Sequence, residues 1–250
     1  MSGHSKWATI KRKKGKLDAE RGRRFTRLIK ELTVAAREGG GDPDGNPRLR
    51  TAIAAAKAEN MPADNIKRGI LKGTGQLPGV TFESITYEGY GPGGVALYLE
   101  VLTDNKNRIV SEIRHVLTKY GGNLGASGCV AWMFHKKGVI TVDLEAANED
   151  TLMEVALEAG ADDMNSDTGA FEIVMDPGVL DDVRQTIEKK GIKIASAEVT
   201  MIPQSTTKLT KEGDASSMLK MLDILEENDD VQKVYSNFDI DQSLMEKLAG

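Results

Sequence analysis

Apolar residues near the start of the chain recur at the spacing of an amphipathic helix. From Phe25 onward they fall three, four, seven, ten and eleven positions later, which places them along one stripe of a helix from about Asp18 to Glu38. Three consecutive glycines at 39–41 end the predicted helix. The stripe predicted to face a core consists of Phe25, Leu28, Ile29, Leu32, Ala35 and Ala36.

Two shorter helices are predicted after this one. Asn46 can cap a helix whose first residue is Pro47, because its side chain can accept from the first turn and proline fits the first helical position. The sequence Asn60-Met61-Pro62 ends that helix and starts a third one, which runs to about Leu71. Three short amphipathic helices predict a small bundle, with further core positions at Leu49, Ala52, Ile53, Ala56, Ile66 and Ile70.

Beyond the glycine-containing linker at 73–79 the pattern changes to alternation with interspersed helical segments. The order of the elements over 139–202 is β-α-β-β-α-β, which is the ferredoxin-like order. The predicted strands are 81–90, 95–104, 139–143, 161–165, 170–175, 192–202 and 231–239, and the predicted helices are 107–120, 150–159, 180–190 and 215–226.

These elements predict an α+β protein with a three-helix N-terminal domain and two α/β domains. The predicted helix at 215–226 and strand at 231–239 have no neighbouring elements with which to form a domain. The predicted hairpin and helix at 81–120 are likewise too few to form one alone. Joining them gives one discontinuous domain into which the ferredoxin-like domain is inserted. The predicted domains are residues 1–78, residues 79–130 together with 206–250, and the inserted residues 131–205.

Charge is distributed unevenly along the chain. The first thirty residues contain eleven Lys and Arg against two acids, a net +9 in a protein whose net charge is −5. Residues 1–78 carry +10 and the remainder −15. Such a concentration of cations favours a polyanionic partner, above all nucleic acid, over a solvated basic tail without one. The acidic remainder would be repelled by phosphate, so it faces away from that ligand or binds another partner.

The cations also cluster on the first predicted helix. At about 100° per residue, Arg23, Arg27, Lys30 and Arg37 lie opposite the apolar stripe, and we expect them to be left outward as a group. Lys and Arg neutralise phosphates, and Arg can also bind a phosphate or a guanine edge through two hydrogen bonds. The candidate nucleic-acid-binding residues are His4, Lys6, Trp7, Lys11, Arg12, Lys13, Lys14, Lys16, Arg21, Arg23, Arg24, Arg27, Lys30, Arg37, Arg50, Lys57, Lys67 and Arg68.

Trp7 has two interpretations that the residues leave open. It can stack on an exposed base, or it can anchor the N-terminal segment as a hydrophobic residue. Trp7 and Phe25 are the only aromatic residues in this region, which argues against a base-stacking platform and favours contact with a backbone or a structured duplex. Glycines at 3, 15 and 22 favour a flexible segment that orders on binding.

The sequence carries no convincing catalytic or cofactor-binding motif. It lacks a GxxxxGK[ST] phosphate loop, HExxH, CxxC and GxSxG, so we predict a non-enzymatic protein without a cofactor or a metal site. Adjacent acids could in principle bind magnesium or act as an acid and base pair, but acids in such positions usually cap helices or aid solubility. These pairs are Asp162-Asp163, Asp181-Asp182 and Asp229-Asp230.

The remaining composition predicts a cytoplasmic location. A single cysteine, Cys129, excludes an internal disulfide and fits a reducing compartment; its apolar neighbours favour a small buried residue over a reactive thiol. No apolar run approaches eighteen residues, so no membrane partner is expected.

Three long segments of the chain resemble the YebC/PmpR family. They are residues 3–32, 39–75 and 87–108, and the likeness extends over essentially the whole chain. The opening signature of the family is met at Gly3-His4-Ser5-Lys6-Trp7 and its second-helix signature at 46–50. Its Met-Pro-x-Asp-Asn-Ile element is met at 61–66.

This resemblance implies a three-domain cytoplasmic protein with a helical N-terminal domain and two α/β domains, the third inserted in the second. It implies a probable DNA-binding transcriptional regulator, since bacterial members are commonly described in that way. The family also contains a mitochondrial translational activator, and bacterial relatives are linked to ribosome function.

Three functions remain open from the sequence. The first is a nucleic-acid-binding regulator of gene expression, whose ligand is DNA or, alternatively, ribosomal or transfer RNA on the ribosome. The second is a protein-interaction adaptor that binds a basic partner through its acidic domains. The third, an enzyme, would need a cleft that gathers carboxylates with perturbed pKa values.

Overall fold

The structure is a computed structural model that describes residues 7, 17–166 and 169–249, with the side chains of 17–21, 242, 246 and 249 left out. The helices in this part of the chain are α1 (Leu17–Gly39), α2 (Pro47–Ala58), α3 (Ala63–Gly73), α4 (Lys106–Lys119), α5 (Glu149–Glu158), α6 (Leu180–Lys189), α7 (Glu212–Glu227) and α8 (Gln242–Ala249). The strands are β1 (Glu83–Tyr90), β2 (Ala96–Thr103), β3 (Asn123–Leu124), β4 (Phe134–Asp143), β5 (Asp163–Asn165), β6 (Ala170–Met175), β7 (Ser196–Pro203), β8 (Thr207–Lys208), β9 (Val231–Ser236) and β10 (Phe238–Asp239).

The described chain forms two compact units. The first unit contains residues 17–130 and 209–234, and the second contains Trp7, 131–166, 169–208 and 235–249. The helical bundle and the sheet of β1 and β2 belong to the same unit. The division into three domains therefore stays a prediction, whereas the α+β class is confirmed.

Helices α1, α2 and α3 form the predicted bundle around an apolar core. Asn46 joins the first two helices, because its side chain accepts from the Leu49 amide at 3.0 Å and donates to the carbonyls of Ala35 and Gly40 at 2.8 Å. The buried core consists of Leu32, Ala35, Ala36, Leu49, Ala52, Ala56, Met61 and Ile66.

Glycines allow α3 to approach α1 closely. A Cβ atom at Gly73 would lie 2.3 Å from the carbonyl oxygen of Thr33, and one at Gly69 would lie 3.3 Å from the Leu32 Cβ. The first distance is impossible without a shift of the backbone, so the packing of α3 on α1 depends on the missing side chain.

The remainder of the first unit contains helices α4 and α7 and a four-stranded sheet with the order β3-β1-β2-β9. Strands β1 and β2 form an antiparallel hairpin in which Glu83 is paired with Thr103 and Tyr90 with Ala96. Strand β9 lies beside β2, so residues from the end of the chain complete the sheet that the hairpin begins.

The second unit contains the predicted ferredoxin-like arrangement. Strand β4 is antiparallel to both β6 and β7, and β5 is antiparallel to β6, which gives the order β5-β6-β4-β7. Helices α5 and α6 bury Leu152, Val155, Val183 and Ile187 in a core shared with this sheet. The predicted β-α-β-β-α-β order is confirmed.

Some boundaries differ from the sequence prediction. Strand β4 begins five residues before the predicted Val139, because Phe134 to Gly138 extend the ladder with β7. The predicted closing strand is interrupted at Asn237, and β10 pairs with β8 in parallel, not with the first sheet. Helix α8 was not predicted.

Replacing Gly73 with alanine should destabilise the bundle, because the new methyl group collides with the Thr33 carbonyl oxygen. We expect a loss of about 1–3 kcal/mol in the free energy of unfolding, measured by urea denaturation. The matched control is Gly22→Ala in α1, where a Cβ meets nothing within 4 Å and a gain of about 0.5–1 kcal/mol is expected. Equal effects of the two changes would contradict the close-packing interpretation.

Candidate nucleic-acid interface

The predicted binding residues fall into three groups. His4, Lys6, Lys11, Arg12, Lys13, Lys14 and Lys16 lie outside the described residues, as does the side chain of Arg21. The second group lies on α1 and the third on α2 and α3. The second and third groups differ in what surrounds them.

Trp7 is described, and its side chain is only 8% exposed. Its indole Nε1 is buried and has no hydrogen-bond partner in the described structure. A ring in this position is not presented to solvent as a stacking surface. The burial favours the anchoring interpretation of this residue over the stacking one.

The second group forms the basic face of α1, consisting of Arg23, Arg27, Lys30 and Arg37. This face packs against residues 226–230, which we call the acidic corner. They include the last two residues of α7 and the three residues that connect it to β9. Arg27 donates to the carbonyl oxygens of Glu226 and Asn228. Lys30 donates to the carbonyl oxygen of Asp229 at 2.8 Å. Arg23 forms an ion pair with the Glu227 carboxylate at 3.8 Å.

The remaining cation of this face binds the linker that leads into β1. Arg37 donates to the carbonyl oxygens of Val80 and Phe82 at 3.3 and 3.2 Å. Lys30 lies over the Phe82 ring, with its Nζ 5.5 Å from the centroid, and Val34 is buried on the same face of the helix. Contrary to the sequence prediction, the cations of this face are therefore not left outward as a group: Lys30 is buried and Arg23 and Arg27 are half-buried, whereas Arg37 is exposed.

Helix α7 explains why the cations of α1 are drawn to this place. Its last turn contains Glu226 and Glu227 and no basic residue, although the negative end of a helix dipole favours cations there. The carbonyl oxygens at a helix end also need donors from elsewhere. Arg27 and Lys30 supply both the charge and the donors.

Asp230 is the centre of this contact. Its carboxylate is almost fully buried and receives hydrogen bonds from Lys30 Nζ at 2.5 Å, Thr103 Oγ1 at 2.8 Å and Arg108 Nη2 at 2.6 Å. Burial alone would raise the pKa of Asp230, but the hydrogen bonds from these three residues outweigh it and lower the pKa below its usual value. The hydrogen bonds that Arg108 donates to Asp230 and Asp104 raise the pKa of Arg108 in turn.

Arg27 is less well compensated than Lys30. Burial lowers the pKa of Arg27, and the charges of Glu226 and Asp229 offset only part of that effect. Its Nε is buried without a hydrogen-bond partner in the described structure. The Arg27 guanidinium is thus half-buried and held by carbonyl oxygens of the acidic corner.

The third group is exposed on the bundle surface. Arg50 and Lys57 lie on α2, and Lys67 and Arg68 lie on α3, all with exposed side chains. In the described part of the chain, none of the four is joined to an acid by an ion pair. Arg24 is also exposed, but it pairs with Glu59 at 3.2 Å. Among the described residues, these four cations of α2 and α3 are thus both exposed and outside any ion pair.

Sequence reasoning missed the acidic corner and its partners Thr103 and Arg108. The Asp229-Asp230 pair was interpreted as a capping or solubilising group, and Asp230 is instead the buried acceptor of two cations. Two features of the sequence indicate this contact. The last turn of α7 has no basic residue, and α1 has an excess of cations.

The described residues contain little else that suggests a small-molecule site. An open cleft of about 490 Å³ runs beside the basic face. Four of the charged residues that line it, Lys30, Asp104, Arg108 and Asp230, are joined by ion pairs. Within the described ranges, no three His, Cys, Asp or Glu side chains are grouped so that they could hold a metal ion. No helix in these ranges has the length and apolar character needed to cross a membrane.

Comparison with family models covers nearly the whole chain. Residues 5–76 match the TACO1/YebC protein N-terminal domain. Residues 82–238 match the TACO1/YebC second and third domain. The first match contains the bundle, and the second contains both four-stranded sheets.

Curated relatives match at high identity. A protein of Syntrophus aciditrophicus named probable transcriptional regulatory protein is 58% identical over 250 residues, which cover 100% of both chains. A protein of the same name from Acidobacterium capsulatum is 60% identical, again over 100% of both chains. The crystal structure of the conserved hypothetical protein Aq1575 from Aquifex aeolicus is 49% identical with a TM-score of 0.80, covering 90% of this chain and 93% of that one.

Asp230→Asn should remove a pH-dependent part of the stability. A carboxylate whose pKa is lower in the folded protein stabilises it above the unfolded pKa of about 3.9, and this stability is lost as the pH falls through the folded value. The variant should lose about 3 kcal/mol at pH 7, because Lys30 and Arg108 lose their anion. Its stability should then fall less than that of the wild type between about pH 5 and pH 2.

Urea denaturation across this pH range measures both effects. Asp241→Asn is the control, because Asp241 is exposed and pairs with Lys208 at 3.3 Å on the surface. We expect that change to cost less than about 1 kcal/mol. Similar losses for the two variants at pH 7 would show that the buried network contributes no more than a surface ion pair.

Proposed function

Because the chain belongs to the TACO1/YebC family, we propose that it is a non-enzymatic regulator of gene expression that acts by binding nucleic acid, with DNA as its ligand. The names of the curated relatives support a role in transcriptional regulation. The observation that carries the proposal is the set of exposed cations on α2 and α3 that form no ion pair within the described residues. The chain that contains them also has a net charge of +9 over its first thirty residues.

The binding surface on the bundle consists of the exposed faces of α2 and α3. The six cations of residues 1–16 add attraction for a polyanion through their charge. Lys67 and Arg68 neutralise phosphates from α3, and Arg50 and Lys57 do so from α2. The basic face of α1 is left out of this surface. Arg23, Arg27 and Lys30 bind the acidic corner, and Arg37 donates to backbone carbonyl oxygens at 80 and 82. The role of this face is to fix the bundle against the sheet.

The acidic remainder of the chain limits where the ligand can lie. Residues 79–250 carry a net charge of −15, which repels a phosphate backbone. Nucleic acid is therefore confined to the bundle and the N-terminal segment. Contacts of this kind go mainly to the backbone and set register and affinity more than they read bases.

Lys67→Gln combined with Arg68→Gln tests the assignment of α3. If the two side chains each neutralise one phosphate, the slope of log affinity against log salt should become shallower by about 2, and affinity near 0.1 M salt should fall roughly 10- to 100-fold. Fluorescence anisotropy with a labelled duplex between about 50 and 200 mM salt measures both quantities.

The matched control removes the same charge from the ferredoxin-like unit. Lys189→Gln with Lys190→Gln changes two exposed cations at the end of α6 and should leave the slope unchanged. An equal change in both double variants would mean that only net charge matters. A wild-type affinity that does not depend on salt would refute phosphate binding altogether.

Crosslinking in cells followed by sequencing of the recovered nucleic acid identifies the ligand. Promoter fragments are the expected result. Recovery dominated by ribosomal or transfer RNA would overturn DNA as the ligand and replace it with structured RNA, while the same cations would still serve as the contact surface.

A further inference from the structure

Helix α5 in the ferredoxin-like unit exposes adjacent apolar side chains. Its inner face, with Leu152, Val155 and Ala156, is buried in the core. Met153 and Leu157 are 36% and 48% exposed, and residues four apart are neighbours on a helix surface. Single exposed apolar residues are ordinary, whereas adjacent ones are more typical of a contact surface.

A row of acids runs beside these two residues. Asp150, Glu154 and Glu158 are all exposed and follow one another at intervals of four. Like charges at this spacing destabilise a helix. Glu158 also lies in the last turn, where the helix dipole favours cations, and α5 has no basic residue there. Local stability alone does not account for this arrangement.

No cation within the described chain compensates these acids. The described ion pairs of this unit join Lys137 to Asp162, Arg184 to its neighbours on α6, and Lys208 to Asp241. None of them involves Asp150, Glu154 or Glu158.

Helix α7 shows how the same pattern is satisfied elsewhere in the chain. It also ends in acids without a basic residue in its last turn. There the basic face of α1 supplies Arg23, Arg27 and Lys30, with Val34 buried between the helix and its neighbours. The acidic end of α7 thus already binds a basic amphipathic helix, α1.

We propose that the outer face of α5 is a docking surface for a basic amphipathic helix of a partner protein. We call this surface, formed by Asp150, Met153, Glu154, Leu157 and Glu158, the α5 ridge. Apolar residues of the partner, spaced three or four apart, pack on Met153 and Leu157. Lys or Arg residues flanking them pair with the acidic row, which gives charge complementarity and orientation.

A synthetic peptide of about four helical turns, with Leu at intervals of three and four and Lys elsewhere, is the first probe. Its binding to the nuclease-treated full-length chain is measured by fluorescence anisotropy. Glu154→Gln with Glu158→Gln should weaken binding about tenfold, since each lost pair contributes modestly at an exposed site. Met153→Ser with Leu157→Ser should weaken it by a similar factor through lost apolar contact.

The matched control is Asp44→Asn with Asp64→Asn, which removes two exposed acids from the bundle, away from any such apolar pair. It should change the affinity by less than about twofold. A loss equal to that of the α5 variants would show non-specific attraction and would overturn the proposal, as would the absence of peptide binding. Circular dichroism and thermal unfolding establish that each variant is folded.

A photo-crosslinking residue in place of Leu157 identifies the partner in cells. The expected product joins the α5 ridge to a segment rich in Lys and Arg with helical apolar spacing. That segment, synthesised, should bind the full-length chain and lose about tenfold in affinity to the Glu154→Gln, Glu158→Gln variant. Crosslinks to a second copy of this chain, or to a segment without clustered cations, would overturn the proposal.

These outcomes are separate from those that test nucleic-acid binding. The α5 ridge lies in the second unit, and the variants that test it leave Lys67 and Arg68 unchanged. Failure of the duplex-binding experiment leaves the peptide result unaffected, and the reverse also holds.

Discussion

The buried carboxylate of Asp230 is the interaction on which the arrangement of the first unit depends. A charge removed from water must be matched by opposite charge and hydrogen bonds, or it destabilises the fold by several kcal/mol. Asp230 meets this requirement through groups from three places in the chain: Lys30 on α1, Thr103 at the end of β2 and Arg108 on α4. The hydrogen bonds to the Asp230 carboxylate therefore hold α1, β2 and α4 in position relative to one another.

Helix ends impose a second constraint of the same kind. The last carbonyl oxygens of α7 and the acids beside them need cations that the helix itself does not contain. Helix α1 supplies them, so a surface that looks like a phosphate-binding face is used inside the protein. The apolar core of the bundle is separate and complete, with Leu32 and Leu49 at its centre. The contacts of α1 with the acidic corner and with residues 80–82, together with buried Val34, fix the bundle against the sheet.

This division of charge separates the roles of the helices in the bundle. Helix α1 has one face in the apolar core and the other against the acidic corner and residues 80–82, so it positions the bundle against the sheet. Helices α2 and α3 bury their inner faces and leave Arg50, Lys57, Lys67 and Arg68 exposed. The proposed nucleic-acid surface is thus what remains after the internal contacts have taken the other cations. In the second unit the acids of α5 keep their charge exposed, which is why a basic partner fits there.

Local signals were sufficient for much of the fold. The 3.6-residue period and the Asn46 cap located the bundle helices, and the order of elements over 139–202 identified the ferredoxin-like arrangement. The resemblance to a known family identified the class of protein from its motifs. The composition also established that the N-terminal region is basic and the rest acidic. These properties depend on residues close to one another in sequence or on the chain as a whole, so they can be read without coordinates.

Only the tertiary structure determined which charged side chains contact one another. The period of α1 shows that Arg23, Arg27 and Lys30 share a face, but it carries no information about what lies opposite, and Asp230 is 200 residues further along the chain. The sequence predicts that the closing strand joins the hairpin, but only the structure shows that β9 lies beside β2. The burial of Trp7 and the exposure of Met153 and Leu157 were likewise not visible in the sequence. A charged side chain has the same sequence signature whether it faces water or a buried acid, because its partner is chosen by the packing of distant elements.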